Sequence, residues 1–358
     1  MRLALVLGAR GLGQVWPNPA VGCVIVAGGR IVGRGFTAQG GRPHAETQAL
    51  AQAGAASRGA TAYVSLEPCS HHGATPPCAE ALVAAGVARV VSAHEDPDPR
   101  VAGRGHAMLR AAGVAVETGV LEREARALQA GFLSRVTRGR PMLALKLATS
   151  LDGRIATATG ESRWITGSQA RRVVHALRAT HDAVLVGAGT ARADDPMLTV
   201  RDLGVAHQPL RVICDSRLSL QVASALGRSA REVPVWLCHG PDAPEAARAA
   251  WEAAGARLVP CALDAAGRVD AADMQARLGA AGLTRVFCEG GGQLAASLLA
   301  AGLVDGLHLF TAGLALGAGG LPALGDLPGF SLSAAPRFRL DAARAVGGDL
   351  YQHWLAGT

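Results

Sequence analysis

His44, Glu46, Cys69 and Cys78 are the residues whose types and spacing carry the clearest chemistry in this chain of 358 residues. They stand in His44-Ala45-Glu46, Glu67-Pro68-Cys69 and Pro77-Cys78. One imidazole and two thiolates supply three ligands of a tetrahedral zinc ion and leave the fourth position for water. A closed four-ligand site is structural, whereas an open one makes a nucleophile, because zinc lowers the pKa of its water to about 7. Glu46 lies only two residues from His44 at one expected helix start, an awkward place for a fourth ligand. Its carboxylate is better placed to face the bound water and shuttle protons. Both cysteines fall at or just before expected helix starts, where the helix dipole favours a thiolate. Two blander readings compete: ordinary buried thiols beside a loop histidine, and a closed structural zinc. H-x-E followed by two Pro-Cys pairs in order disfavours both.

A second candidate is Lys146. Of 35 basic residues it is the one lysine, and all others are arginine. A compact, titratable ammonium at this position suits proton donation to a substrate oxygen; the alternative is a leftover surface lysine. Two expected strands end in Gly-rich turns that open helices, Val184–Gly187 into Gly189-Thr190 and Val286–Cys288 into Gly290–Gly292. Free N–H groups at such turns bind phosphate, although neither turn is a full G-x-G-x-x-G. Plain tight turns would look the same.

The elements that must position these residues alternate between strand and helix, the pattern of α/β architecture. Met1–Ala9 reads as an amphipathic helix. A signal peptide is the weaker reading, since Arg10 and Gly11–Gly13 interrupt the apolar stretch early. Val21–Val26 and Arg30–Phe36 read as a hairpin around Gly28-Gly29. Helices are expected at His44–Gln52, Pro77–Ala85, Gly105–Ala112 and Glu122–Ser134, with strands at Thr61–Leu66 and Val87–Ala93. The segment 136–141 reads as a linker between domains 1–141 and 142–358. Beyond it, strands are expected at Met142–Leu147, Ala183–Val186, Leu210–Cys214, Val233–Leu237, Arg285–Cys288 and Gly306–Thr311. Helices fall between them, for example at Ser168–Ala179 and Gln293–Ala301.

The net charge of +7 raises the question of nucleic acid. The arginines are dispersed, and 4% aromatic residues leave few stacking platforms for bases. A small phosphorylated substrate satisfies the same charge. No apolar run approaches the roughly 18 residues of a membrane span. Seven cysteines without a dense framework argue for a reducing compartment, hence the cytoplasm.

H-x-E with a later P-C-x-x-C is the signature of zinc deaminases. Here H-A-E and P-C are present, with eight residues between the cysteines in place of two. The intervening His71 and His72 are candidate substrate contacts or rival ligands. The whole string 63–78, with Pro17–Cys23, Pro43–Glu46 and Asp96–Gly105, resembles the deaminase half of the bifunctional riboflavin-biosynthesis deaminase/reductase family. Lys146–Ile155, Glu161–Gly167, Asp194–Arg201, Asp215-Ser216 and Glu289–Gly292 resemble its reductase half. The resemblance covers nearly the entire chain. Ala74 stands where the family often carries a basic residue and Asp98 where Asn is usual, and the chain starts several residues later than is typical.

The resemblance implies a cytidine-deaminase-like three-layer N-terminal domain and a dihydrofolate-reductase-like C-terminal domain. It implies zinc at His44, Cys69 and Cys78, Glu46 as proton shuttle, and Lys146 as the catalytic group of an NADPH-dependent reduction. Ala148, Trp164, Thr190, Asp194, Ser216, Gly291 and Gly292 are expected to line the NADPH site. Ser162, Arg178, Leu198, Arg201 and Glu289 are expected to meet substrate, the two arginines being candidates for its phosphate. The implied substrate is 2,5-diamino-6-ribosylamino-4(3H)-pyrimidinone 5′-phosphate, with no nucleic-acid or membrane partner and a homo-oligomeric assembly. A nucleic-acid or free-nucleoside zinc deaminase with an accessory domain is the alternative.

Overall fold

Gly28 and Gly29 both hold positive φ (54° and 75°), the backbone a two-residue hairpin turn demands. They join β1 (Gly22–Ala27) to β2 (Arg30–Phe36) as an antiparallel pair. The computed structural model to which they belong describes residues 1–358 apart from 73–75, 328 and 358. Ala74 therefore lies outside the described residues. The chain divides into two units, Met1–Arg140 and Pro141–Thr358.

In the first unit β1 and β2 join β3 (Thr61–Val64), β4 (Arg89–Ser92) and β5 (Ala115–Glu117) in a sheet of order β2-β1-β3-β4-β5. The helices are α1 (Arg2–Ala9), α2 (Ala45–Ala53), α3 (Cys78–Ala84), α4 (Arg104–Ala111), α5 (Glu122–Leu128) and α6 (Ala130–Arg138). Alternation along β1 sorts its side chains between two faces. Cys23 and Ile25 share a core with Ala45 and Ala49 of α2, while Val24 packs with Ala4 and Leu7 of α1. Helices thus cover both faces, giving three layers.

Two departures from the sequence pattern occur here. Residues 122–134 form two helices, because Gln129 takes φ −88° and ψ 5° between α5 and α6. Its buried side chain donates to the Ala20 carbonyl at 2.8 Å. The first half of the expected linker is helical: α6 runs to Arg138 and Gly139 caps it at φ 69°. Ser134 ties that end down by donating to the Arg140 carbonyl.

The second unit contains β6 (Met142–Thr149), β7 (Arg154–Ala156), α7 (Ser168–Ala179), β8 (Ala183–Gly187), α8 (Ala188–Asp194), β9 (Leu210–Cys214) and α9 (Ala225–Arg228). There follow β10 (Val235–His239), α10 (Glu245–Ala254), β11 (Arg257–Pro260), α11 (Ala271–Ala280), β12 (Arg285–Cys288), α12 (Gly292–Ala300) and β13 (Gly306–Ala312). Last come β14 (Leu321–Pro322), β15 (Phe338–Val346) and β16 (Asp349–Ala356). Nine strands make one sheet of order β11-β10-β9-β8-β12-β6-β13-β16-β15, while β7 pairs with β14. The strands from β11 to β13 in that order are parallel, and β16 and β15 add an antiparallel hairpin at the edge. That hairpin has no apolar run to betray it, since most of β15 is exposed. On one face α7 buries Ala170 and Val174 against Ala144, Phe287 and Phe310.

Between β2 and α2, beside the metal candidates, the contact is backbone on backbone. A Cβ added to Gly35 would sit 2.2 Å from the Ala45 carbonyl oxygen, and one on Gly33 would sit 2.1 Å from that of Ala49. Glycine on β2 is what lets α2 lie this close. Gly35→Ala is therefore expected to cost about 1–3 kcal/mol of stability, because β2 and α2 must separate. Denaturant unfolding checks this, and the same variant should bind zinc less tightly, since α2 carries His44 and Glu46.

Candidate active sites

His44 is the N-cap of α2, with extended backbone (φ −69°, ψ 162°), so it stands just outside the first helical turn. Cys69 follows the end of β3, and Cys78 is the first residue of α3 after Pro77. Proline at the cap position pre-sets the turn into the helix. His44 Nδ1 lies 3.3 Å from Cys78 Sγ and 3.7 Å from Cys69 Sγ, and the three ligand atoms all fall within 4.8 Å of one another. A tetrahedron with zinc bonds of about 2.0–2.3 Å has edges of roughly 3.3–3.8 Å. The donor set fits zinc in kind and in spacing.

The two thiols share charge unequally. Cys69 is pushed down to about 4, chiefly by the hydrogen bond it accepts from Cys78, with His44 and the Cys78 backbone N–H assisting. Cys78 is raised by the same contact. His44 is raised, first by its hydrogen bond to Cys69. The pocket thus already favours a thiolate beside an imidazole. Glu46 is buried in the first turn of α2, and burial followed by the charge of Cys69 raises it to about 7. Such a carboxyl gains and loses a proton near neutrality.

Neither rival histidine joins this cluster among the described residues. His72 Nε2 faces Glu80 at 3.5 Å in an exposed pair. Asp98 is answered by Arg100, which grips its carboxylate through Nε (3.0 and 3.1 Å) and Nη2 (2.5 Å). This pairing, before other causes, lowers the Asp98 pKa. A group not singled out in the sequence holds the loop behind it. Glu67 accepts the N–H groups of Asp96, Gly103 and His106 at 3.1, 3.0 and 3.1 Å. It is buried two residues before Cys69, so one carboxylate fastens the cysteine turn to 96–106. Glu67 also forms a possible cation cluster with Glu95 and His106, but its oxygens serve these amides and His106 Nε2 serves Ser92.

In the second unit Lys146 points from β6 into a group formed with Glu289 and Arg178. Burial lowers its pKa, opposed by Glu289 and aided by Arg178. Glu289, just past β12, takes both Nε and Nη2 of Arg178, the latter at 2.9 Å. Arg178 Nη1 donates to the Thr199 carbonyl at 2.7 Å. Arg178 is thus engaged along its whole guanidinium edge, while Arg201 is exposed. Leu198 is buried with φ 55° and Asp195 has φ 40°, a strained stretch of the kind found at ligand sites.

The Gly-rich turns lie side by side, since β8 and β12 are parallel neighbours. Gly290 and Gly291 hold φ 107° and 94°, and a Cβ on Gly291 would stand 3.1 Å from Thr190 Oγ1. Gly292 opens α12, whose first N–H groups have no partner within the helix. This donor-rich cradle fits a phosphate-bearing cofactor. Trp164 is 66% exposed with Arg171 stacked 4.4 Å from its ring centroid. Asp194 receives Arg163 at its carbonyl (2.7 Å), with the carboxylate 3.5 Å away. Ala148 lies on β6, Ser162 between β7 and α7, and Ser216 just after β9, its hydroxyl accepting the Val269 N–H. Asp152 shapes its turn, binding Ser150 Oγ and the N–H groups of Leu316 and Gly317.

Comparison with known proteins decides the family. Residues 141–351 match the RibD C-terminal domain, and residues 1–94 match the cytidine and deoxycytidylate deaminase zinc-binding region. The riboflavin biosynthesis protein RibD of Escherichia coli K12 is 43% identical, covering 99% of this chain and 97% of that protein. The chain belongs to the RibD family. RibD of Bacillus amyloliquefaciens is 40% identical over 98% of this chain and 94% of its own. Among solved structures, Acinetobacter baumannii RibD superposes with a TM-score of 0.89 at 38% identity, covering 100% of this chain and 98% of that one. A diaminohydroxyphosphoribosylaminopyrimidine deaminase/5-amino-6-(5-phosphoribosylamino)uracil reductase from Thermotoga maritima gives 0.87 at 33% identity, covering 100% and 97%. Both expected fold types, deaminase-like and reductase-like, stand with these relatives.

Replacing Cys69 or Cys78 by Ser removes one of three ligand atoms. Zinc content, measured by atomic absorption after dialysis, should fall from about one ion per chain toward zero, with the second unit's unfolding unaffected.

Proposed function

We propose that the first unit deaminates 2,5-diamino-6-ribosylamino-4(3H)-pyrimidinone 5′-phosphate around His44, Glu46, Cys69 and Cys78, and that the second reduces the sugar of the product around Lys146. The chain is a bifunctional deaminase and reductase of riboflavin biosynthesis that uses zinc and NADPH. The observation that carries the reading is the His44–Cys69–Cys78 cluster at tetrahedral-edge spacing with a buried carboxyl of raised pKa beside it. When bound, zinc supplies the Lewis acidity that makes water a nucleophile at neutral pH, and NADPH supplies reducing equivalents.

Glu46 takes one proton of the attacking water and passes it to the ring nitrogen; it then takes the proton of the newly added hydroxyl and delivers it to the amino group, which leaves as ammonia while that oxygen becomes the carbonyl. Its environment supports both directions of transfer, since burial and the Cys69 charge keep its proton affinity near neutrality. The pyrimidine is a small molecule, so neither nucleic acid nor membrane enters the reaction. In the second unit, Lys146 donates to the ribose ring oxygen and assists ring opening, a role its desolvated ammonium supports. Glu289 and Ser162 orient the sugar and base, and Leu198 closes the wall. Arg201 faces the phosphate, while Arg178 acts by holding Glu289. Ala148, Trp164, Thr190, Asp194, Ser216, Gly291 and Gly292 line the nicotinamide dinucleotide, the glycines giving its phosphates access to backbone N–H groups.

The free thiol state of all seven cysteines supports a reducing, cytoplasmic setting. No helix among the described residues is long and apolar enough to cross a membrane. The outer edge of β15, unpaired among the described residues, supports a homo-oligomer, which light scattering of the purified protein tests.

Paired variants test the partition. Glu46→Gln should keep its zinc and lose about 10²–10⁴-fold in ammonia release. Lys146→Ala should leave ammonia release intact and depress NADPH oxidation by a similar factor. Normal deamination by the first variant would remove the proton-shuttle role; loss of both activities in the second, with folding intact, would overturn the two-site partition.

A further inference from the structure

The segment 199–201 belongs to no strand, yet each of its peptide groups is claimed by a side chain. Gln208 treats Val200 as a ladder partner would, its Oε1 accepting the Val200 N–H at 2.7 Å and its Nε2 donating to the Val200 carbonyl at 3.1 Å. The Thr199 carbonyl and the Arg201 N–H instead meet α7. Arg178 Nη1 donates to the Thr199 carbonyl at 2.7 Å. The Arg201 N–H donates to His175 Nδ1 at 3.2 Å. His175 and Arg178 are three residues apart, neighbours on one helix face.

We propose that His175 is a positioning residue for the reduction: as neutral imidazole it accepts the Arg201 backbone N–H and, with Arg178 and Gln208, aims the Arg201 side chain at the substrate phosphate. The proposal rests on the reading of Arg201 as the phosphate contact. An imidazole accepts at Nδ1 only when that nitrogen carries no proton, so the contact belongs to the neutral ring protonated at Nε2. Protonated at both nitrogens, the ring is a donor only, and its Nδ1–H would turn toward the Thr199 carbonyl that Arg178 already uses.

The surroundings keep the ring neutral. His175 faces Arg178 on its own helix, Arg201 on the segment it holds, and Glu289 beyond β12. Burial first, then the two arginines, lower its pKa, outweighing Glu289 and the Thr199 carbonyl. The acceptor state is therefore present through neutrality and lost only as pH falls below the ordinary histidine range. The substrate phosphate also titrates near pH 6, so the histidine's share must be read against a variant that accepts without titrating.

Asn at 175 is that variant, because its Oδ1 falls near the place of Nδ1 and cannot be protonated in this range. The test compares His175→Ala, His175→Asn and Arg201→Ala in the full zinc-loaded chain, with 5-amino-6-(5-phosphoribosylamino)uracil and NADPH. In H175A the KM for the pyrimidine should rise roughly three- to tenfold, with kcat, ammonia release and unfolding midpoint unchanged. H175N should restore the KM at pH 7.5. Between pH 7.5 and 5.5 the wild-type KM should climb more steeply than that of H175N. R201A should raise the same KM at least as much as H175A. If R201A raises KM and H175A does not, or if H175N behaves as H175A, His175 does not position Arg201. If R201A leaves KM unchanged, the phosphate reading of Arg201 falls, and the role of His175 falls with it.

Discussion

A charge taken out of water costs several kcal/mol unless a partner faces it, and both candidate sites are organised around that cost. In the first unit the buried Glu67 carboxylate finds three backbone N–H groups. That arrangement simultaneously fixes the turn that delivers Cys69. For Glu46, burial and then the Cys69 charge outweigh its hydrogen bonds, and it holds its proton more tightly. Two carboxyls only 21 residues apart in sequence thus do different work, one fastening backbone amides and the other held near neutrality by burial.

The same constraint explains which parts of the site were legible in the sequence. His44, Glu46, Cys69 and Cys78 are readable because metal ligation restricts residue type and the helix start restricts spacing. Glu67 stands in the same motif but shows no chemistry of its own until its partners are seen. Those partners are backbone amides of residues 96–106, and nothing in a one-dimensional pattern marks an amide as the object of a carboxylate. His175 was hidden for the same reason: its partner is the N–H of Arg201, a group every non-proline residue owns.

The strands of the parallel sheet were legible because burial on both faces writes them as continuous apolar runs. The β15–β16 hairpin was not, since an edge with solvent on both sides carries Arg, Asp and Ala without a period. The division of 122–134 into two helices falls at Gln129, whose side chain makes a tertiary hydrogen bond to Ala20. Helical propensity runs through that residue undisturbed. Asp152 shows the converse: a carboxylate in a matching motif turned out to shape a turn through Ser150, Leu316 and Gly317.

Lys146 gathers these threads. Glu289 already receives two nitrogens of Arg178 in a bidentate grip, so a second guanidinium at 146 would compete for the same planar fork. An ammonium needs no fork; it acts as a point charge and presents protons in any direction. Arginine also keeps its proton under nearly any burial, whereas burial lowers the pKa of Lys146. In a chain that spells every other positive charge as arginine, the one lysine stands buried beside a carboxylate whose guanidinium partner already fills the fork.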